Sequence, residues 1–595
     1  DSRGCVPETI GDGIIITAAD PGFGTRSNNA LLIVNSSSSY YQDFTKYVLP
    51  YIEWFGIPFE VCDVNSMLIP ELSDYGVIVF GHRNVYSDNY PVNNIEDAVF
   101  AGSGLYSFDP HLFDFSSDFN VSGNTPSVTS HQIDIITSPE HYITRLHVND
   151  AFNSTNDEIP LMVINNVAIT ITLNQSDYTL AGGVTLATMS SGPASSPLLQ
   201  VASHGAGRIV KWSSYEWMFD EPKVLGPVFG MDDLIWRSMV WSARKPFVMQ
   251  GLPPMITMRV DDVDGTRSYY LDNLRWLEIS NEYGFIPWCG TFIDNVGTGF
   301  FTKLSELVNA GRATAIPHAL TYDNFIYCNQ QNLQGFDPVA NITYAWNTFA
   351  ANSIPVSNYL VTHWYLFSAD AVPAVSARGV EFIGTHIPTY DLVFPDGYPG
   401  NWINCGPYKT DRNGFAGRGD APYFFAGDIT WEIDNQQYNF FNVLTEIQDD
   451  GGYEWFPEFN VTEAINRGVR HLRRAINSMA LPTLFTHEDR IWMTEPEWRQ
   501  TMSGITSGLS AYYPEYNLQY TSIDDACTYI KAKEGIEITS VRAEPGVTNI
   551  FFSGDNVLGT KCYLFTEAEG QIGFELVDLP QVNASSGTSF VTVYE

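Results

Sequence analysis

From Met255 onward the chain keeps one rhythm, and that rhythm restricts the fold more than any other feature. Short apolar runs, "MITMRVDD", "GFIPWCGTF", "RATAIPHAL", "NYLVTHWY", "VEFIGTHIP" and "PTLFTHED", recur along it. Longer stretches of helical periodicity, such as "SYYLDNLRWLEISNEYG" and "FTKLSELVNAG", separate them. Strand alternating with helix means a parallel sheet, because parallel strands need a crossover between them. Over residues 251–520 the natural closure is a (β/α) barrel, in which every C-terminal strand end opens on one face.

Five of the six runs end in aspartate or histidine: Asp261 with Asp262, then His318, His363, His386 and His487. On a barrel those residues converge despite their distance in sequence. Histidine with carboxylate is the ligand set of zinc and related divalent metals that act on water. Adjacent side chains on a strand point to opposite faces, so a scaffold has little use for two like charges at 261 and 262. A division of labour explains them. One carboxylate binds the metal, and its neighbour, turned the other way, takes a proton from the attacking water.

"TMRVDDVDG" resembles the first motif of polysaccharide deacetylases of the NodB-homology type, in which an apolar strand ends in two aspartates and a glycine. The resemblance implies that Asp261 is the general base and Asp262 a metal ligand. "LFTH" at 484–487 resembles the late leucine-x-histidine motif, which implies that His487 is the general acid; we expect Asp489 to orient it. "IPHAL" at 316–320 resembles the start of the second motif and makes His318 a ligand. That motif carries another histidine four residues on, where this chain has Tyr322. We expect His363 to supply the third ligand, with His386, Asp323 or water as alternatives, and His386 otherwise touching substrate. The implied cofactor is a divalent metal, zinc first, with cobalt or nickel as substitutes. Trp288, Tyr322, Trp364, Tyr365, Tyr390 and Trp402 lie at or just past strand ends, where aromatic faces can stack on sugar rings. Two rivals stand beside this reading. One is a metal-free carbohydrate-binding protein on the same barrel, favoured by the missing histidine at 322; the other is a glycoside hydrolase using two carboxylates.

With 595 residues the chain is too long for one core. Residues 1–250 begin with strand-like "ALLIVN", helical "YQDFTKYVLPYIEWFG", then "PFEVCDV" and "YGVIVFG", the order of a doubly wound α/β layer. The alternating stretch 160–200 reads as a β insertion. The region resembles glutamine-amidotransferase-like α/β domains, and Ser103 in "GSG" has no evident partners, so we read it as non-catalytic and as a candidate glycan-binding module. Prolines 246, 253 and 254 mark a boundary near 250. After about residue 525 helices are expected to cease, leaving 521–595 as a small β-sandwich. The whole is thus a multidomain α/β chain.

A net charge of −38, with only 30 Lys and Arg, repels nucleic acid and anionic membranes and attracts polycations. No run of 18 apolar residues exists, so membrane insertion is not expected. Seven cysteines include no CxxC pair, which argues against a thiolate zinc site. We expect Cys527 to pair with Cys562, Cys5 with Cys62 and Cys328 with Cys405, leaving Cys289 a buried thiol. Sequons at Asn35, Asn120, Asn153, Asn174, Asn341, Asn460 and Asn583, and the opening "DSRGCVPETIGDG" of a mature or trimmed chain, favour a secreted, N-glycosylated, cell-wall-associated monomer. The layout resembles the fungal secreted deacetylases of galactosaminogalactan, a biofilm exopolysaccharide. This implies a polymer rich in N-acetylgalactosamine as partner and cationic amino sugars as product.

Overall fold

Apolar runs buried on both faces are how strands of a covered parallel sheet read. The computed structural model describes residues 27–85, 92–111, 118–130, 133–148, 163–164, 167–168, 171–218, 231–328, 336–363, 367–368, 370–384, 402–403, 416–417, 426–433, 435–446, 454–457 and 460–594. In it Ala30–Val34 is buried throughout and pairs in parallel with Phe59–Asp63 on one side and Val77–Phe80 on the other. Gly104–Ser107 and Gly207–Trp212 extend the sheet in parallel. Ala194–His204, Val184–Ser191 and Ile133–Ile135 then complete an eight-stranded mixed sheet by antiparallel pairing. Part of the stretch expected as an insertion is therefore built into the main sheet. Ser103 is buried, accepts a hydrogen bond from Arg244 at 2.8 Å and lies 3.1 Å from the Tyr75 carbonyl, which is a structural role.

Helix α1 (Asp232–Ser242) covers this sheet, and nearly all of it is buried. Its Trp236 donates from Nε1 to the Asn477 carbonyl at 2.7 Å, on helix α2 (Val461–Ser478) of the central region. Trp54 does the same toward Met479 at 3.2 Å. One apolar cluster runs from Ala30 to Phe565, so the N-terminal layer and the central region share a core. The expected linker near 250 is no loose hinge: Gly251–Pro254 are buried. Phe247–Met249 pairs antiparallel with the strand Thr560–Ala568.

The central sheet is set by β1 (Met255–Val263), β2 (Pro287–Phe292), β3 (Thr314–Thr321), β4 (Tyr359–Leu360), β5 (Phe382–Ile383) and β6 (Thr483–His487). Strands β3, β2, β1 and β6 lie side by side and parallel, within a six-stranded sheet. β4 and β5 belong to a second, five-stranded sheet with Gln436–Val443 and Ala426–Ile433. A single backbone bond, Ser357 to the Ala315 carbonyl at 2.8 Å, ties the segment before β4 to β3. Among the described residues the ladder is thus two sheets rather than one continuous barrel, because β4 and β5 are only two residues long. The strand order still brings the C-terminal ends of β3, β2, β1 and β6 to one edge.

Helix α3 (Ile523–Glu534) corrects the expectation that helices cease near 525. Ser522 caps it by accepting from Asp525 N at 3.1 Å, with acids in its first turn and lysines in its last, which suits the helix dipole. Beyond it, Ile536–Glu544, Val547–Gly554 and Ser589–Tyr594 form one three-stranded sheet. Thr560–Ala568, Gln571–Leu579 and the early strand Phe247–Met249 form another. Cys527, on α3, and Cys562, on Thr560–Ala568, are separate buried thiols, as are Cys62 and Cys289. The expected Cys527–Cys562 bridge is therefore absent, since each thiol fills apolar core space. Cys62 Sγ lies 3.9 Å from the Leu68 carbonyl, to which it donates, while Cys5 and Cys405 lie outside the described residues. No helix among the described residues is long and apolar enough to cross a membrane.

Trp236 joins two regions by both packing and a hydrogen bond. We expect Trp236→Ala to lower stability by about 3–5 kcal/mol, read as a fall in the denaturant midpoint for the whole chain.

Candidate metal centre

Strand β1 does not end regularly. Val260 pairs with Cys289 and Val263 with Thr291, so three steps on β1 oppose two on β2. This is a bulge at Asp261–Asp262, and Asp262 takes a left-handed φ of 59°. A non-glycine residue held there costs on the order of 1–3 kcal/mol, tolerated where the surroundings fix it. The bulge removes the alternation expected from the sequence. Both carboxylates turn to the same pocket: His318 Nε2 lies 4.0 Å from Asp261 Oδ2 and 3.5 Å from Asp262 Oδ1.

Asp262, His318 and His363 gather there, all buried, each offering one ligand atom within 4.8 Å of the others. His363 Nδ1 is 3.0 Å from Asp262 Oδ1. Backbone carbonyls fix both imidazoles. His318 Nδ1 donates to Val361 O at 2.8 Å, and His363 Nε2 to Tyr322 O at 3.1 Å. A carbonyl can only accept, so in the neutral rings the nitrogens facing Asp262 carry lone pairs. Asp262 Oδ1 is buried and makes no hydrogen bond. In that tautomer three acceptor atoms converge: Asp262 Oδ1, His318 Nε2 and His363 Nδ1. A proton on His363 would satisfy one edge and leave His318 Nε2 opposed to the same oxygen. Burial pushes His318 down to about 4, so it carries no proton at neutral pH. Burial would raise Asp262, but the short contact with His363 outweighs it and holds the carboxyl at about 2. This donor set could hold a divalent cation.

Local sequence explains the placement. Gly290 on β2 leaves room for the His318 ring, since a Cβ there would lie 3.1 Å from His318 Cγ and Nδ1. Tyr322, standing where a histidine was expected, lends its carbonyl to His363 while its own ring is 44% exposed. Arg267 approaches the other oxygen of Asp262, with NH1 3.5 Å from Oδ2.

Asp261 has a different setting. Arg259, fully buried, grips it in two places: Nε donates to Oδ1 at 2.9 Å and NH2 to Oδ2 at 2.5 Å. The other end of the guanidinium is held by Thr445 Oγ1 at 3.0 Å and by Glu446, and its plane lies 4.1 Å from the Phe485 ring centre. Burial would raise the Asp261 carboxyl, but the Arg259 charge holds it below the usual range. Across the ladder Asp261 pairs with His487 on β6. Glu454 Oε1 lies 2.6 Å from His487 Nδ1. Burial would lower this imidazole, but that hydrogen bond and charge lift it to about 9. With Nδ1 given to Glu454, Nε2 is the nitrogen left to exchange a proton.

The structure thus brings together Asp261, Asp262, His318, His363 and His487. It corrects the orienting role expected of Asp489: the carboxylate on His487 is Glu454. The Asp489 side chain is 42% exposed and 3.9 Å from Arg490 Nε. It also corrects Trp288, which is fully buried with Nε1 donating toward Ser357 and Tyr359, so its face is core rather than a sugar platform. Asp323 is exposed and outside the ligand trio. His386, Trp364, Tyr365 and Tyr390 lie outside the described residues, and Trp402 is described only as backbone in a short strand. Sequence reading missed Arg259, Glu446 and Glu454. Arg259 was legible in principle, two positions before Asp261 on one strand and so on the same face. Glu454 comes from a distant segment and gave no signal.

No protein-family model matches the chain, and no curated protein matches it in sequence. Among solved structures it aligns with Agd3, a novel carbohydrate deacetylase, over 96% of this chain and 99% of that one, at TM-score 0.46 and 11% identity. A 4-alpha-glucanotransferase from Thermococcus litoralis aligns over 45% of this chain and 41% of its own, at TM-score 0.27 and 9% identity. A cytoplasmic protein from Salmonella typhimurium aligns over 36% of this chain and all of its own, at TM-score 0.20 and 13% identity. Likeness this low carries no functional weight, which rests on the centre itself.

The Glu454 contact sets the His487 titration. A pair that raises a folded-state histidine above 6.5 stabilises the fold fully below that pH and loses its effect as pH rises through about 9. In Glu454→Gln we expect the His487 titration, followed by NMR, to fall from about 9 toward 6.5. An unmoved midpoint would assign the shift to another group.

Proposed function

We propose that this chain is a metal-dependent carbohydrate de-N-acetylase, acting on acetamido sugars of an extracellular polysaccharide rich in N-acetylgalactosamine. The observation that carries the reading is the buried set of Asp262, His318 and His363 beside Asp261, which Arg259 grips at both oxygens, and His487, which Glu454 meets at 2.6 Å. A divalent ion in that set, zinc in our assignment, would supply Lewis acidity to activate water and polarise the amide carbonyl. Asp261, clamped by Arg259, takes the proton from the attacking water as its oxygen bonds to the acetamide carbon. His487 gives its proton to the amide nitrogen as the C–N bond breaks. Acetate and a primary amine on the sugar leave. Glu454 keeps His487 charged for that donation, and Arg259 keeps Asp261 charged for the first step.

The substrate class rests on the double-aspartate motif and on the exposed Tyr322 ring beside His363. The product is cationic, and a chain of net charge −38 attracts polycations. We propose secretion from the sequons, and take residues 1–250 and 521–595 as regions that position glycan around the centre of 251–520. A metal-free binding role leaves the opposed lone pairs unexplained.

Acetate release from N-acetylated galactosamine polymer should fall about 10²–10⁴-fold in Asp261→Asn, while bound metal stays near stoichiometric. His363→Ala should lose metal and activity together, because two remaining ligands hold an ion weakly. Metal analysis and an acetate assay on the same preparations check both. Full release in Asp261→Asn would overturn its role as base.

A further inference from the structure

Asp261, Asp262, His318 and His363 are each at most 4% exposed, so only a small group such as an acetamide can reach them. The pyranose rings of a polymer must rest on the surface around that opening. Two segments leave the neighbouring strands β1 and β6 there, and each carries aromatic side chains. Tyr269 and Tyr270 are 62% and 58% exposed. The Tyr269 ring stacks on Trp492 with centroids 5.3 Å apart and planes 22° apart, and Tyr270 meets Tyr269 edge-on at 4.9 Å.

The shelf is braced. Tyr269 N donates to the Ile491 carbonyl at 3.2 Å, and the Trp492 indole donates to the Asp489 carbonyl. At the root of the first segment, buried Glu488 accepts from Asp264 N at 2.8 Å, Gly265 N at 2.9 Å and Trp276 Nε1 at 3.0 Å. Arg267, two residues before Tyr269, reaches Asp262 itself. Two exposed tyrosines and a half-buried tryptophan, on segments fixed to the centre, lose little entropy on binding. Aromatic faces match the CH faces of sugar rings.

We propose that Tyr269, Tyr270 and Trp492 form a pyranose-stacking subsite for the sugar unit next to the one whose acetamide enters the centre. Tyr322, past β3, offers a second exposed aromatic ring beside His363. The subsite rests on the deacetylase reading.

Calorimetric titration of the chelator-treated full chain with N-acetylgalactosamine tetramer separates the two claims. Trp492→Ala and Tyr269→Ala should each weaken tetramer binding about tenfold. Tyr269→Phe should bind like the unaltered protein. In the metal-loaded protein the same two alanine variants should raise KM for the tetramer about tenfold and leave kcat within about twofold. Unaltered tetramer affinity and KM in either variant, at an unchanged unfolding midpoint, would overturn the subsite while acetate release still upheld the deacetylase. Trp492-dependent binding without acetate release from the unaltered protein would uphold the subsite as a glycan platform and remove the deacetylase.

Discussion

The centre depends on one backbone irregularity. Without the bulge at Asp261–Asp262, strand geometry would send the two carboxylates to opposite sides of β1, and only one could share a pocket with His318. The left-handed φ of Asp262 turns its oxygen toward His318 and His363, while Asp261 keeps its place beside His487 on the next strand. The conformational cost is held in place by buried neighbours on both sides. β1 is buried along all nine of its residues, with β2 and β6 paired to its flanks.

Charge is distributed around that bulge by partners rather than by exposure. Asp261 is kept ionised by a buried arginine that itself needs Glu446 and Thr445 to complete its hydrogen bonds. His487 is kept protonated by Glu454. Two neighbouring titratable groups are thus displaced in opposite senses by their environments, one down and one up. Between them and the metal ligands, burial strengthens every electrostatic term. The same burial would make an unpaired charge expensive, so the network stands or falls as a unit.

The regions around the centre are not beads on a string. Trp236 and Trp54 reach from the N-terminal layer to carbonyls at the end of α2, and the strand before residue 250 completes a sheet of the C-terminal sandwich. The segment that leads into β1 is therefore held by both flanking regions. Rigidity at that point matters because Asp262, His318 and His363 come from β1, β3 and the loop after β4, and sub-ångström drift would separate them.

Several particulars were legible in the chain itself. The apolar runs gave β1, β2, β3 and β6, since a period of burial on both faces needs no tertiary partner to be read. Their terminal Asp and His residues gave the trio Asp262, His318 and His363 that the structure gathers. Tertiary structure alone decided the rest. The bulge is a matter of register against β2, which no residue in "RVDD" announces. Glu454 meets His487 across 33 positions, and Glu446 meets Arg259 across 187. Trp288 reads in sequence like exposed Tyr322, yet its indole is sealed by Ser357 and Tyr359. A sequence specifies periodicity and chemistry along one strand. Which side chain reaches which other depends on packing between strands, where a single extra residue reverses a face.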